Sequence, residues 1–188
     1  ARECMGLGPR GRRKIDVAIN ITLLISLAAL VNGEEVILGV HPERRILSFR
    51  GWSRESISKL LKALSEVSLS SGPSLERFYD TAVSRVQSSD RIYIITDLET
   101  CEDAETLGRK FRRRGNTVAI LLLDTMEFLR PEDGVGSLRA AYNYLADRYY
   151  RKNPKKRRIS RGLIIDTLSP NIRPIDIVEK YRVMQTWT

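Results

Sequence analysis

At 188 residues the chain has the length of one ordinary domain. Its 42% hydrophobic and 29% charged content fits a folded soluble protein and excludes global disorder. Two cysteines, Cys4 and Cys101, exclude a disulfide framework or a zinc site and favour a reducing, cytoplasmic setting. The one histidine, His41, excludes any site that needs two imidazoles. A net charge of +9 makes the surface attractive to nucleic acid, anionic lipid or an acidic partner. The excess is concentrated between Arg148 and Arg161, where Arg148, Arg151, Lys152, Lys155, Lys156, Arg157, Arg158 and Arg161 meet no Asp or Glu.

In chain order, residues 1–13 read as a flexible basic loop, rich in Gly and Arg around Pro9. Gly6-x-Gly8-x-x-Gly11 matches a dinucleotide fingerprint on the surface only, because no strand precedes it in the chain. Ala1 is no initiator, so the chain reads as a processed or excised piece. Lys14 to Val31 is apolar nearly all round, as expected of a helix packed on a sheet and covered on its other side. The stretch Ile15 to Val31 contains Asp16 and Asn20 and falls short of the roughly 20 apolar residues that span a bilayer. No cleavage site follows, so a buried helix is expected. Asn32-Gly33 supplies a left-handed stop.

Val36–Val40 and Ile46–Phe49 are short β-rich runs joined by a turn holding His41 and Pro42, hence an antiparallel hairpin. Ser53 caps a helix marked by Ile57, Leu60, Leu61, Leu64 and Val67. A Ser/Gly/Pro loop leads to a second helix carrying Leu75, Phe78, Tyr79, Ala82 and Val86. Arg91 to Thr96 reads as a buried central strand ending at Asp97, followed by a helix over Cys101 to Arg113. Thr117 to Leu123 is a fully apolar strand ending at Asp124, and Ser137 to Tyr150 is a long helix running into the basic stretch. Leu163 to Ile165 would be a last short strand and Ile175 to Val183 a last helix. The reading gives a single domain, with a core over residues 14–130 and a C-terminal extension over 131–188.

Apolar strands alternating with helices predict an α/β fold: a mainly parallel sheet with helices on both faces and the hairpin as its one antiparallel edge. Ligands of such sheets bind outside the carboxyl ends of the strands, which is where Asp97 and Asp124 fall. Ile92, Ile94 and Ile95 are expected to lie buried beside Val118, Ile120 and Leu122, and Ile94→Asp is expected to unfold the domain.

The order of these pieces resembles a von Willebrand factor A domain. So do Ser71-Gly72-Pro73-Ser74-Leu75 between helices and Thr96-Asp97 after a strand. The nearest likeness is to the prokaryotic family of A-domain-like proteins of unknown function associated with MoxR-type ATPases. Arg2-Glu3-Cys4-Met5, the glycines after it and Lys14-Ile15-Asp16 look like that family's loop without its first strand. The resemblance covers about residues 1–130. It implies a three-layer Rossmann-like fold and a metal-ion-dependent adhesion site built from Asp-x-Ser-x-Ser, a Thr and an Asp.

With Met5 aligned, Arg2 and Cys4 stand at the two serine positions, and the leading aspartate would precede Ala1. A thiol is a poor Mg²⁺ ligand, and a guanidinium takes the place of the cation. Ser74 and Asp97 are the residual ligand candidates. The resemblance therefore implies a degenerate metal site with no cofactor and no bond chemistry. It implies a protein-binding role around Arg2, Cys4, Ser74, Asp97 and Glu99, with a MoxR-type ATPase as partner in assembly or chaperone-like work. The first strand either precedes this chain or is replaced by a segment such as Leu163 to Ile165.

Three clusters carry alternatives. Asp97, Glu99, Glu102 and Asp103 either face a cation or basic partner, or serve as helix caps and first-turn acids. Asp124, Glu127, Glu132 and Asp133 are either paired carboxylates for general acid/base work or, with no nucleophile or histidine partner evident, ordinary loop acids, the second being favoured. The basic stretch with Tyr142, Tyr144, Tyr149 and Tyr150 is either a nucleic-acid interface or a solvated surface with tyrosines packed along a helix face.

Overall fold

The computed structural model describes residues 3–7, 13–40, 45–67, 75–130, 136–154, 157–160, 163–168, 172 and 176. The expected last helix over 175–183 lies outside them but for Asp176. A 3-10 turn at Glu3–Gly6 leads into α1 (Lys14–Val31). Asp16 sits in the first turn, where a carboxylate favours the helix dipole, and accepts from the Arg13 backbone at 2.9 Å and its guanidinium at 2.9 and 3.0 Å. The chain leaves α1 through Gly33 at φ 78°, a conformation that glycine adopts without a Cβ clash.

β1 (Val36–Val40) and β2 (Arg45–Phe49) pair antiparallel, Val36 opposite Phe49. α2 (Arg54–Ser65) follows, its Ser53 cap accepting from the Ser56 amide at 3.1 Å. Then come α3 (Leu75–Ala82), β3 (Arg91–Asp97), α4 (Cys101–Arg113) and β4 (Thr117–Leu123). The short α5 (Thr125–Phe128), α6 (Gly136–Lys152), β5 (Arg157–Ser160) and β6 (Leu163–Leu168) complete the described elements.

The main sheet runs β3-β4-β6-β5, with β3, β4 and β6 parallel and β5 antiparallel to β6. Alternation sorts β4 to two faces. Ala119, Leu121 and Leu123 meet Ile15 and Ile21 of α1 on one face; Val118, Ile120 and Leu122 meet Ala104, Leu107 and Phe111 of α4 on the other. With both faces covered, β4 needs apolar residues throughout, which is why it shows no polar alternation. α1 is the one helix among the described residues long and apolar enough to cross a membrane by length and composition. Here its apolar surface is divided: Ile15 and Ile21 meet the sheet, while Leu23, Leu27 and Leu30 meet the hairpin and α2.

Three expectations are corrected. The β1–β2 hairpin is a separate two-stranded sheet and does not pair with the parallel strands. The antiparallel edge is β5 instead, so the basic stretch is ordered over Arg148–Lys152 in α6 and Arg157–Ser160 in β5. And among the described strands β3 lies at the end of the sheet, with β4 inside it. The pairing of Ile92 with Val118 and Ile94 with Ile120 holds, but Ile92, Ile94 and Ile95 are only half-buried. β6 is longer than the expected Leu163–Ile165 and lies inside the sheet, and Met5 is buried against Ile15 and Phe128 although it belongs to the loop-like N-terminal stretch.

Candidate functional site at the carboxyl edge of the sheet

Parallel strands put the ends of β3 and β4 and the starts of the helices after them at one edge, and α1 begins there too. Lys14, the first residue of α1, is 0% exposed. Its Nζ donates to Thr125 Oγ1 at 2.8 Å and lies 3.7 Å from Glu99 Oε2. The Thr125 hydroxyl in turn donates to Glu99 Oε1. A buried ammonium is tolerated only with such partners, since an unpaired buried charge costs many kcal/mol. One lysine thereby ties together the start of α1, the turn after β3 and the start of α5.

Two aspartates end the strands and turn inward. Asp97 is 1% exposed and accepts the Thr100 amide at 3.0 Å, capping the 3-10 turn Leu98–Thr100. Asp124 is fully buried; Oδ1 accepts the Met126 amide at 3.0 Å and Oδ2 accepts the Tyr150 hydroxyl at 2.7 Å. The reading of Asp124 as an ordinary loop acid is thus corrected, because it caps α5 and anchors α6. Glu127 is half-buried with Arg130 at 3.9 Å, whereas Glu132 and Asp133 lie outside the described residues.

Tyr142, Tyr149 and Tyr150 of α6 pack as the helix-face alternative expects, whereas Tyr144 is exposed. Tyr142 donates to the Met126 carbonyl at 2.9 Å, and Tyr149 stacks edge-on against Tyr150 with ring centroids 5.4 Å apart. The Tyr149 hydroxyl is buried without a hydrogen bond of ordinary geometry. Burial raises the pKa of both phenols. Glu99 adds to the rise at Tyr149 against an opposing effect of Thr125, and Asp124 adds to it at Tyr150.

Of the other expected site residues, Glu102 and Asp103 are exposed in the first turn of α4, beside the partly exposed Glu99. Arg2 and Ser74 lie outside the described residues, as does the side chain of Cys4. Arg148, Arg151 and Lys152 are exposed on α6, Arg151 pairing with Asp147 at 2.6 Å. Arg157 and Arg158 are placed by their backbone alone, and Lys155, Lys156, Arg161 and His41 lie outside the described residues. No group of three or more His, Cys, Asp or Glu comes together to hold a metal ion among the described residues.

Lys14, Thr125, Tyr149 and Tyr150 are the members of the site that sequence reasoning did not assign to it. The available signal was a lone lysine heading an otherwise apolar helix. Comparison with family models, with curated proteins and with solved structures finds no match to this chain.

The two phenols give a pH test. An acid whose folded pKa is raised keeps its proton in the native state after the unfolded chain has lost it. Its stabilising effect is complete below the unfolded value near 10 and is lost as pH rises above it. Urea unfolding at pH 9 to 11.5 is therefore expected to show a steeper loss of stability for the wild type than for Tyr149→Phe/Tyr150→Phe. Parallel profiles would contradict the environment described for these rings.

Proposed function

We propose that the chain is a non-enzymatic protein-interaction module, a three-layer von Willebrand A-like domain with a degenerate metal site, which docks through the carboxyl edge of its sheet. The observation that carries this reading is Lys14. Its buried ammonium is held by the Thr125 hydroxyl and Glu99 at this edge, and a fixed positive charge there opposes Mg²⁺ binding. The other polar groups of the edge support it. Asp97 and Asp124 are spent on capping and on Tyr150, and the Thr125 hydroxyl is held between Lys14 and Glu99.

What the edge turns outward is Glu99, Glu102 and Asp103, with Leu129 46% exposed. Three exposed acids at this edge suit a partner with a basic docking face. On the resemblance, a MoxR-type ATPase is the partner proposed, in assembly or chaperone-like work in the cytoplasm.

A second reading, nucleic-acid binding, is favoured by the exposed Arg148, Arg151 and Lys152 next to Tyr144, which is 67% exposed. Capture from lysate at about 0.05 and 0.2 M salt separates the two. A protein partner is expected to be retained at both. Recovery of nucleic acid that falls by about 10³-fold or more across that range, and vanishes in Arg148→Ser/Arg151→Ser/Lys152→Ser, would replace docking with the second reading.

A further inference from the structure

α6 turns one face to the protein and another to solvent. On the inward face Tyr142 donates to the Met126 carbonyl, Tyr150 donates to Asp124, and Tyr149 packs beside Tyr150. On the outward face Ala141, Tyr144, Leu145, Arg148, Arg151 and Lys152 are all exposed, Tyr144 by 67% and Leu145 by 56%. Their spacing of three and four residues sets them in one stripe, about 16 Å long. The stripe is sorted along its length, with apolar side chains in its first half and three cations in its second. Asp147, the only acid in the sequence of α6, flanks the stripe and pairs with Arg151 at 2.6 Å.

The two halves have different causes. Cations in the last turn complement the helix dipole and by themselves point to no ligand. The dipole gives no reason for a leucine and a tyrosine to stand in water beside them. A surface that lays anionic groups over hydrocarbon takes both halves at once. The guanidinium and ammonium groups reach phosphates on their long stems. Leu145 and the Tyr144 ring enter the boundary between headgroups and acyl chains, where the phenol tip stays wet. Duplex nucleic acid offers phosphates without an apolar layer, and a single strand stacks on Tyr144 but leaves Leu145 unused. The net charge of +9 draws the whole chain toward an anionic bilayer.

We propose that the outward face of α6 is a peripheral membrane-binding surface, which lies flat on a bilayer rich in anionic lipid. Its inward tyrosines fix α6 to the rest of the fold, so it docks as a preformed helix. Attachment through so short a stripe is reversible and weakens with salt. It uses other residues than docking at the carboxyl edge and does not depend on that reading.

Vesicle sedimentation with the 188-residue chain tests this. At about 0.1 M salt, binding to equal parts phosphatidylglycerol and phosphatidylcholine is expected to be at least about tenfold tighter than to phosphatidylcholine alone. Tyr144→Ser/Leu145→Ser and Arg148→Ser/Arg151→Ser/Lys152→Ser should each weaken it by at least about tenfold. Melting temperatures should stay unchanged, because all five positions are exposed. Equal binding to both kinds of vesicle, or to neither, would overturn the proposal. So would loss in the cation variant alone, which marks plain attraction of a basic chain, or loss in neither variant, which puts the contact elsewhere. An oligonucleotide that binds this face more tightly and displaces the chain from the vesicles would assign the face to nucleic acid instead.

Discussion

Ile120→Asp is expected to leave the chain without cooperative unfolding at any temperature. Ile120 is fully buried in β4, between β3 and β6 and against α4. A carboxylate there finds no cation and no donor, and its burial costs several kcal/mol or more, comparable with the roughly 5–15 kcal/mol that hold a domain folded. Ile94→Asp, its neighbour across the ladder, is expected to be milder, at about 2 kcal/mol, since Ile94 is half-buried. Urea midpoints and near-ultraviolet circular dichroism check both. A folded Ile120→Asp, or an Ile94→Asp that is the worse of the two, would contradict the assignment of β4 as the central strand.

The second large effect separates the members of the carboxyl-edge cluster. Glu99→Ala leaves the Lys14 ammonium buried with only the Thr125 hydroxyl and is expected to cost about 2 kcal/mol. That is below the usual range for a broken buried pair, because Glu99 remains partly solvated. Lys14→Met removes the charge while keeping a flexible apolar side chain of similar length, and is expected to be neutral or stabilising. Adding Lys14→Met to Glu99→Ala should then recover most of the loss, a coupling of about 2 kcal/mol in a double-mutant cycle. Simple additivity would show that the two residues do not act on each other as their geometry implies.

Much of this architecture was legible from local pattern. Helix boundaries at Lys14–Val31 and Cys101–Arg113 and the strand Thr117–Leu123 follow from apolar period, caps and glycine stops, which are local properties. What was misplaced depends on long-range pairing. The apolar run of β3 suits a strand covered on both faces, and nothing within Arg91–Asp97 gives its place at the end of the described sheet order β3-β4-β6-β5. The β5 strand was hidden because Arg157 and Arg158 read as solvated charge, while a strand at the end of a sheet accepts charged residues.

The site was legible in part. Asp97 and Asp124 stand out as polar ends of apolar strands, and their position at the carboxyl edge follows from parallel topology. Their inward orientation does not, because the Tyr150 partner of Asp124 is 26 residues away and the Thr125 partner of Lys14 is 111 residues away. A lysine at the head of an apolar helix reads equally as a solvated first-turn residue until the fold closes over it.

Partner capture by charge-reversed bait tests docking at the carboxyl edge most directly. Glu102→Lys/Asp103→Lys alters two exposed positions in the first turn of α4, at an expected cost of about 0.3–1 kcal/mol each, so the bait stays folded. At about 0.15 M salt, this bait is expected to recover at least tenfold less of the protein partner than the wild type, while Arg148→Ser/Arg151→Ser/Lys152→Ser recovers it in full. Undiminished recovery by the charge-reversed bait, with loss in the α6 variant, would place the interaction on the basic face and contradict the account.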